Sequence, residues 1–226
     1  SSSPSSRRRP SAPSRSSRLA FVVRHDSPVR CVAFSPDGKL IASGGDDGAL
    51  RLWNAADGKP VRTLKADRHA ITALTFGRKG GSLGTGSADG TIRMWDADTG
   101  VEKSKHVAHT GEVLCLAGHP DRPLAVSGGA DAMVKLWVAG SSKLDRTLTY
   151  HTKAIVGLAF GPDGRVFVSA SADGSVRIYD VVQNRVRSNG PTVPRSPTCL
   201  TFLGDGRHVA VGDVAGNIGH FALPGA

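Results

Sequence analysis

The sequence has few cysteines and no long apolar run, and each shortage excludes a class of protein. Three cysteines among 226 residues are too few, and odd in number, for a small secreted domain held together by disulfides. The longest apolar runs are about five residues, well short of the roughly 20 that cross a bilayer. No segment has the apolar stretch of a secretory signal peptide. Because the chain starts at Ser1 and not at Met, we expect a processed or incomplete N-terminus.

Aromatic residues are also scarce, at 5%, but a hydrophobic fraction of 39% is enough for a packed core and excludes wholesale disorder. Acidic residues are outnumbered by Lys and Arg, 19 to 29, which gives a net charge of +10. Residues 1–18 hold five arginines and no acid, so they carry half of that excess. The charge on the rest is spread out and does not by itself indicate a nucleic-acid partner.

The segment 1–18 consists of serine, arginine and proline apart from one alanine, so it cannot bury enough apolar surface to offset its ordering entropy. We predict a disordered tail there. Three alternatives stay open for its role: contact with a polyanion through Arg7, Arg8 and Arg9, phosphorylation of its serines, and an organelle transit peptide.

Glycine and proline are abundant, with 28 and 13 residues, and they punctuate a repeat. Aromatic residues that close similar segments recur every 42 residues, at Trp53, Trp95, Trp137, Tyr179 and Phe221. A second block, such as VRCVAFSPDG at 29–38, precedes each of them. Each repeat predicts four short strands, a to d, with turn residues between them. One such sheet cannot bury both of its faces, so the repeats must stack, which predicts an all-β propeller of four-stranded antiparallel blades.

These residues resemble the WD-repeat β-propeller family over residues 19–226. The family places a His before strand a, a Ser or Thr in strand b, an Asp in the b–c turn and a Trp at the end of strand c. The resemblance implies that each set forms a buried hydrogen-bond chain with a structural role. The matching sets are His25, Ser43, Asp47 and Trp53; His69, Thr85, Asp89 and Trp95; His109, Ser127, Asp131 and Trp137; and His151, Ser169, Asp173 and Tyr179. The fifth repeat has Val193, Val211, Ala215 and Phe221 there, so we expect no such chain in it.

The repeats span roughly 25–66, 67–106, 107–148, 149–190 and 191–226. Residues 19–24 resemble an isolated strand d, and the fifth repeat lacks one, so the two ends are candidates for one mixed blade. A closed five-bladed ring would leave no open sheet edge. The alternative is a piece of a larger propeller, completed by a longer gene product or by another chain.

Catalytic and metal sites are not supported by the residues. The His, Ser and Asp sets contain the residue types of a hydrolase triad, but they recur four times in one register, whereas an enzyme needs one triad. The glycine-rich segment 80–90 has no Gly-Lys-Ser/Thr ending and precedes a strand, unlike a phosphate-binding loop. His106 and His109 have no carboxylate or thiolate cluster beside them. We predict no enzyme activity, no cofactor and no metal.

The three cysteines occupy one equivalent position, as do Ala73 and Gly157 in the other repeats. That position is small throughout and predicts a crowded inner strand with free thiols that pack as small hydrophobes. The equivalent cysteines are Cys31, Cys115 and Cys199.

The family resemblance implies a partner-binding rim on the top face, formed by the start of strand a and the residue before the b–c Asp. The candidates carried over are Arg30, Asp46, Thr72, Glu112, Leu114 and Val156. We predict a cytoplasmic, non-catalytic scaffold for protein or peptide partners. The alternative is a protein that binds nucleic acid or another polyanion through its basic tail.

Overall fold

The computed structural model describes residues 21–138, 143–193 and 195–223, and these residues form nineteen strands in five sheets. Within these ranges there is no helix, and so none that is long and apolar enough to cross a membrane. The predicted disordered tail, residues 1–18, lies outside the described residues.

Each repeat forms one sheet, here called a blade. Blade 1 contains β1 (Val29–Phe34), β2 (Leu40–Gly45), β3 (Ala49–Asn54) and β4 (Pro60–Lys65). Blade 2 contains β5 (Ile71–Phe76), β6 (Ser82–Ser87), β7 (Thr91–Asp96) and β8 (Glu102–Val107). Blade 3 contains β9 (Val113–Gly118), β10 (Leu124–Gly129), β11 (Val134–Val138) and β12 (Lys143–Leu148). Blade 4 contains β13 (Ile155–Phe160), β14 (Val166–Ser171), β15 (Ser175–Asp180) and β16 (Arg185–Thr192). Blade 5 contains β17 (Pro197–Phe202), β18 (His208–Asp213) and β19 (Ile218–Ala222).

The strands of each blade pair antiparallel in chain order, so every blade is a meander. It follows that the a–b and c–d turns lie on one rim, the bottom rim, and the b–c turns and the links between blades lie on the opposite top rim. The first strands of successive blades, β1, β5, β9, β13 and β17, pack beside one another. The predicted all-β propeller architecture is confirmed.

The core lies between blades, because each blade presents one apolar face to the blade before it and one to the blade after it. Three interfaces have extensive clusters of buried side chains. The interface of blades 1 and 2 contains Leu50, Leu52, Phe76, Leu83 and Trp95. The interface of blades 3 and 4 contains Val126, Leu136, Leu158, Phe167 and Tyr179. The interface of blades 4 and 5 contains Val168, Val176, Ile178, Val209 and Val211. The cluster between blades 2 and 3 is smaller.

Within the described ranges, the two outer blades each have an apolar face that no other blade covers. Phe34 on β1 is 64% exposed and Ile218 on β19 is 81% exposed, whereas all of β14 in blade 4 is buried. Among the described residues, β1 and β17 do not pack together as neighbouring blades do. The described residues therefore form an open arc of blades.

The mixed blade predicted from residues 19–24 is not present in the described part of that segment. Residues 21–24 form no strand, and β17, β18 and β19 make a three-stranded sheet. The ring of Phe21 lies directly against Gly58 in the c–d turn of blade 1, so the segment lies beside blade 1 and not beside blade 5. Leu19 and Ala20 lie outside the described residues.

The b–c turns require a left-handed backbone, and blade 3 meets that requirement with alanine. Gly48, Gly90, Gly174 and Gly216 have φ between 67° and 86°, and Ala132 at the equivalent position has φ of 65°. An L-residue with a Cβ costs about 1–2 kcal/mol in this region, a cost that glycine does not have. Ala132 is therefore a strained point in an otherwise regular set of turns.

Replacement of Ala132 by glycine is expected to stabilise the fold by up to about 1 kcal/mol, since relief of the strain outweighs the added entropy of the unfolded chain. The measurement is the urea midpoint of Ala132→Gly against that of the parent chain. Gly216→Ala is the matched control, because a Cβ there meets no atom within 4 Å and adds only the strain. It should destabilise by about 1–2 kcal/mol. An Ala132→Gly variant less stable than the parent would contradict this account of the turn.

Candidate functional site

Blade 3 contains the complete hydrogen-bond chain that the sequence predicts. Trp137 Nε1–H donates to Ser127 Oγ at 2.8 Å, and Ser127 lies 2.8 Å from His109 Nε2. His109 Nδ1 lies 2.9 Å from a carboxylate oxygen of Asp131. With a neutral imidazole that donates to Asp131, each group in the chain has a partner of the required kind. The chain joins strands b and c to the link that precedes strand a.

Burial and hydrogen bonding fix the charges in this chain. Burial lowers the pKa of His109, and the hydrogen bond with Asp131 offsets part of that effect. Burial would raise the pKa of Asp131, but the hydrogen bonds from His109 and from backbone N–H groups outweigh it and hold the pKa below its usual value. The pair is therefore a neutral histidine and an ionised aspartate. Ser127 has no exposed surface and His109 is 2% exposed, so neither is placed to meet a substrate.

Blade 1 contains a modified chain. Trp53 Nε1–H donates to Ser43 at 2.7 Å, and His25 Nε2 is 2.7 Å from the same hydroxyl. On its other side His25 meets the guanidinium of Arg51 at 2.6 Å, and Arg51 in turn contacts Asp47 at 2.8 Å. Because a guanidinium only donates, His25 Nδ1 accepts and its proton lies on Nε2. Arg51 thus stands between the histidine and the aspartate, which the sequence did not predict.

Blade 4 keeps the histidine and the serine but not the aromatic donor. His151 Nε2 lies 2.8 Å from Ser169, and Nδ1 lies 2.9 Å from the hydroxyl of Ser175, which donates to Asp173 at 2.6 Å. Nδ1 itself is 3.4 Å from a carboxylate oxygen of Asp173. The hydroxyl of Tyr179 donates to Asn184 at 2.5 Å instead of to Ser169. The substitution of Tyr for Trp therefore removes one link of the chain.

In blade 2 the prediction that His69 takes part in the chain is wrong. Trp95 donates to Thr85 at 3.0 Å, but His69 is not hydrogen-bonded to Thr85 and its side chain is 57% exposed. Asp67 occupies the position of His25 and His109, as the 42-residue spacing requires. It is buried and accepts from Arg93 Nε at 3.1 Å. The identity of His69 misled the prediction, although the register pointed to Asp67.

Asp67, His69 and Asp89 place three groups capable of binding metal within 4.8 Å of one another. Arg93 already supplies a positive charge to Asp67. Thr91 donates to Asp89 at 2.6 Å, and His69 lies 3.5 Å from Asp89. Ion pairs and hydrogen bonds account for this cluster, and nothing about it calls for a metal ion.

The candidate top rim contains three charged side chains, those of Arg30, Asp46 and Glu112. Arg30 Nε lies 2.5 Å from Asp46, and a second guanidinium nitrogen lies 3.3 Å from the other carboxylate oxygen. The hydrogen bond and the charge of Asp46 raise the pKa of Arg30, and Glu112 adds to this effect from blade 3. The two charges predicted as separate anchors therefore pair with each other, and the three groups together carry a net charge of −1.

The other predicted rim residues differ in how available they are. Thr72 donates to the carbonyl of Val113 at 2.5 Å, so its hydroxyl already links blades 2 and 3. Val156 packs against the cluster between blades 4 and 5. Leu114 is partly buried at the start of β9. Of the six candidates, Arg30, Asp46 and Glu112 are charged. Of the two apolar candidates, Val156 packs against a buried cluster, so Leu114 is the one better placed to contact a partner.

The equivalent cysteines are free thiols on the first strands of their blades. Burial raises the pKa of both Cys31 and Cys115 to about 12, so both are protonated at neutral pH. Each directs its sulfur to carbonyl oxygens, at 3.5 Å for Ile71 and Ile155 respectively. Cys199 lies in the exposed first strand of blade 5. The two inner thiols pack as small side chains, as their spacing predicts.

A family model described as "WD domain, G-beta repeat" matches the chain four times, over residues 17–54, 58–96, 101–138 and 142–180. The chain belongs to the WD40 repeat family. Proteins built from WD40 repeats generally act as non-catalytic scaffolds for protein interactions.

Among curated proteins, the serine-threonine kinase receptor-associated protein of Homo sapiens is 60% identical over 35 residues, which is 16% of this chain and 10% of that protein. Small ribosomal subunit protein RACK1z of Arabidopsis thaliana is 47% identical over 55 residues, 24% of this chain and 16% of that protein. The ribosome biogenesis protein BOP1 homolog of Caenorhabditis elegans is 40% identical over 60 residues, 26% of this chain and 9% of that protein. The chain thus matches only a small part of each of these WD40 relatives.

The crystal structure of RRP9 WD40 repeats superimposes with a TM-score of 0.83 at 19% identity. The superposition covers 89% of this chain and 62% of that one. At this identity the likeness shows the fold alone. This chain spans less than two thirds of that WD40 structure.

Removal of the serine hydroxyl from the blade 3 chain is expected to cost about twice as much as removal of the equivalent hydroxyl in blade 2. Ser127→Ala leaves both Trp137 Nε1 and His109 Nε2 without a partner, whereas Thr85→Val leaves only Trp95 Nε1. At about 1–3 kcal/mol for each orphaned buried group, the difference is measurable by urea unfolding of the two variants. Equal losses, or a larger loss for Thr85→Val, would contradict the role assigned to His109.

Proposed function

We propose that this WD40 chain is a non-catalytic scaffold that holds a protein or peptide partner on its top rim within a larger complex. The observation that carries this proposal is the group formed by Arg30, Asp46 and Glu112. Arg30 lies on β1, Asp46 follows β2 in the b–c turn and Glu112 directly precedes β9, so all three lie on the top rim. Among the described residues, no side chain makes a hydrogen bond or ion pair with the carboxylate of Glu112. A basic side chain of a partner peptide fits its carboxylate.

The chemistry of the repeated polar residues supports a non-catalytic role. The serine and histidine of blade 3 are buried, and their hydrogen bonds are used within the blade. A serine nucleophile needs a histidine base and an accessible position next to its substrate. Ser127 has a histidine beside it, but it is buried and has no accessible position next to a substrate.

The charge reversal Glu112→Lys is expected to weaken partner capture by at least about five-fold, because it replaces the unpaired carboxylate by a second positive charge, beside Arg30, opposite a basic peptide. The measurement is quantitative affinity purification from nuclease-treated lysate, with the parent chain and the variant compared for each captured protein. The double variant Arg30→Asp with Asp46→Arg keeps the ion pair but reverses its orientation, and it should also reduce capture.

Lys39→Glu is the matched control, since Lys39 is an exposed lysine beside the a–b turn on the opposite rim. Its capture should equal that of the parent. Partners that are captured equally by the parent, Glu112→Lys and the double variant would contradict the top-rim proposal.

The polyanion hypothesis rests on Arg7, Arg8 and Arg9, which lie outside the described residues. A chain of residues 19–226 distinguishes the two proposals in the same experiment. Capture that survives both truncation and nuclease supports the propeller as the binding module. Capture that is lost on either treatment supports the tail. Imaging of a tagged chain tests the cytoplasmic location, for which the nucleus and an organelle are the alternatives.

A further inference from the structure

The interface between blades 2 and 3 encloses a cavity of about 360 Å³ that opens on the bottom rim. Its walls are apolar, with Ile92 and Met94 on blade 2 and Leu116, Ala125 and Trp137 on blade 3. The mouth is formed by the a–b turns of the two blades. A cavity of this size lies in the range that proteins use to bind small molecules.

The cavity exists because blade 3 lacks a pair of large side chains that the other blades have. Where strand a ends, its last residue pairs with the second residue of strand b. That pair is Phe34 with Ile41, Phe76 with Leu83, Phe160 with Phe167, and Phe202 with Val209. In blade 3 the pair is Gly118 with Ala125. The two aromatic rings of the blade 4 pair lie 5.6 Å apart and fill this space at the interface of blades 3 and 4.

On blade 2, the wall that faces this gap also has a smaller side chain than the other blades have. Gly84 stands where the other blades have Ala42, Val126, Val168 and Ala210. The small residues on both sides of the interface therefore coincide, which explains why its cluster of buried side chains is the smallest of the four. Protein interiors are otherwise packed with few voids larger than a water molecule.

A polar atom without a partner lies in this cavity. His106 lines it at the position where blades 1 and 3 have Leu64 and Leu148. Its ring centroid is 6.0 Å from that of Trp137, and its Nε2 is buried without a hydrogen-bond partner. Buried polar atoms in folded proteins nearly always have a partner, so this atom indicates a hydrogen-bonding group that a ligand would supply.

The mouth of the cavity is basic. Arg78, Lys79, Lys103 and Arg122 line it, and no carboxylate is among the lining residues. Lys103 is paired with Asp96 at 2.7 Å, and Arg78 donates to the backbone carbonyl of Asp121. Within the described residues, the side chains of Lys79 and Arg122 have no hydrogen bond or ion pair. They are thus available to an anionic group at the entrance.

We propose that this cavity binds a small apolar carboxylate, with its hydrophobic body between blades 2 and 3 and its carboxylate at Lys79 and Arg122. A polar atom of the body meets His106 Nε2. This site lies on the rim opposite the proposed partner-binding rim and does not depend on it. The ligand would complete the packing that Phe160 and Phe167 provide at the next interface.

The test uses three carboxylate probes, namely benzoate, 2-naphthoate and 6-hydroxy-2-naphthoate, with 2-naphthamide as the uncharged counterpart of 2-naphthoate. The ring hydroxyl of the third probe supplies the polar atom for His106 Nε2. Binding to the full chain is measured by ligand-observed NMR and isothermal titration calorimetry. At least one carboxylate should bind, and 2-naphthamide should bind more weakly than 2-naphthoate. If none of the three carboxylates binds, the proposal is overturned.

Variants that fill the cavity locate the site. Gly84→Val restores the residue of blades 3 and 4, and Ala125→Leu restores that of blade 2. A Cβ at Gly84 meets the side chains of Met94 and Thr75 at 3.4 Å and the carbonyl oxygen of Thr75 at 3.8 Å, which are ordinary van der Waals contacts, so the substitution is tolerated. Gly118 is left unchanged, because a Cβ there would lie 2.7 Å from the carbonyl oxygen of Phe76. The double variant should lose probe binding by at least about ten-fold and gain thermal stability.

Charge variants test the orientation of the ligand. Lys79→Glu with Arg122→Glu should weaken carboxylate binding by at least about ten-fold and leave 2-naphthamide binding unchanged. Lys39→Glu, on the same rim at blade 1, should change neither. His106→Leu removes the unpartnered nitrogen without filling the mouth, so it should weaken binding of 6-hydroxy-2-naphthoate more than binding of 2-naphthoate. It serves as a second site variant if the filled variant does not fold. Probe binding that is unchanged in the filled variant and in His106→Leu would overturn the proposal.

Discussion

Burial of both faces of every four-stranded sheet against neighbouring sheets is the constraint on which the rest of this structure depends. A single blade has two apolar faces and no interior of its own, so it is stable only between two others. The fixed period of 42 residues keeps the large side chains of one blade opposite the small ones of the next. Where that pattern ends, at β1 and β19, apolar side chains such as Phe34 and Ile218 are exposed. Exposed apolar surface of this kind marks a place for further contacts.

Polar groups within the blades are arranged to permit this packing. The chain from Trp137 through Ser127 and His109 to Asp131 satisfies each buried polar group and fixes the top of blade 3. The other blades reach a similar result by different means, with Arg51 inserted in blade 1 and Asp67 paired to Arg93 in blade 2. The requirement common to all is satisfaction of buried polar groups, and the identity of the residues is secondary. The rigid blades that result leave the rims available for function.

The sequence predicts the propeller and the strands well, because the hydrophobic alternation and the turn glycines repeat in one register. The polar chain of blade 3 is predicted by the family resemblance, which assigns its four residues. The 42-residue spacing from His25 selects Asp67 in blade 2, so the nearby His69 has the residue type of the family pattern but not its position. The position of residues 21–24 could not be inferred, since a short apolar segment does not specify which blade it contacts.

The cavity between blades 2 and 3 is only partly visible in the sequence. Alignment of the repeats shows that Gly118 replaces phenylalanine, but a neighbour could fill such a gap. Whether the gap stays open depends on Gly84 and His106, which belong to the facing blade and meet it only in three dimensions. The ion pair on the top rim could not be predicted from the sequence either, because the pairing of Arg30 with Asp46 follows from side-chain geometry and not from sequence spacing.

Hydrogen exchange of backbone amides, followed by mass spectrometry on the intact chain, tests the account of an open arc most directly. Protection should be greatest in β14, where every residue is buried between two neighbouring blades, and least in β1 and β19 at the ends. Slow exchange in β1 and β19, comparable with that in β14, would contradict the account, because it would show that both end faces are covered.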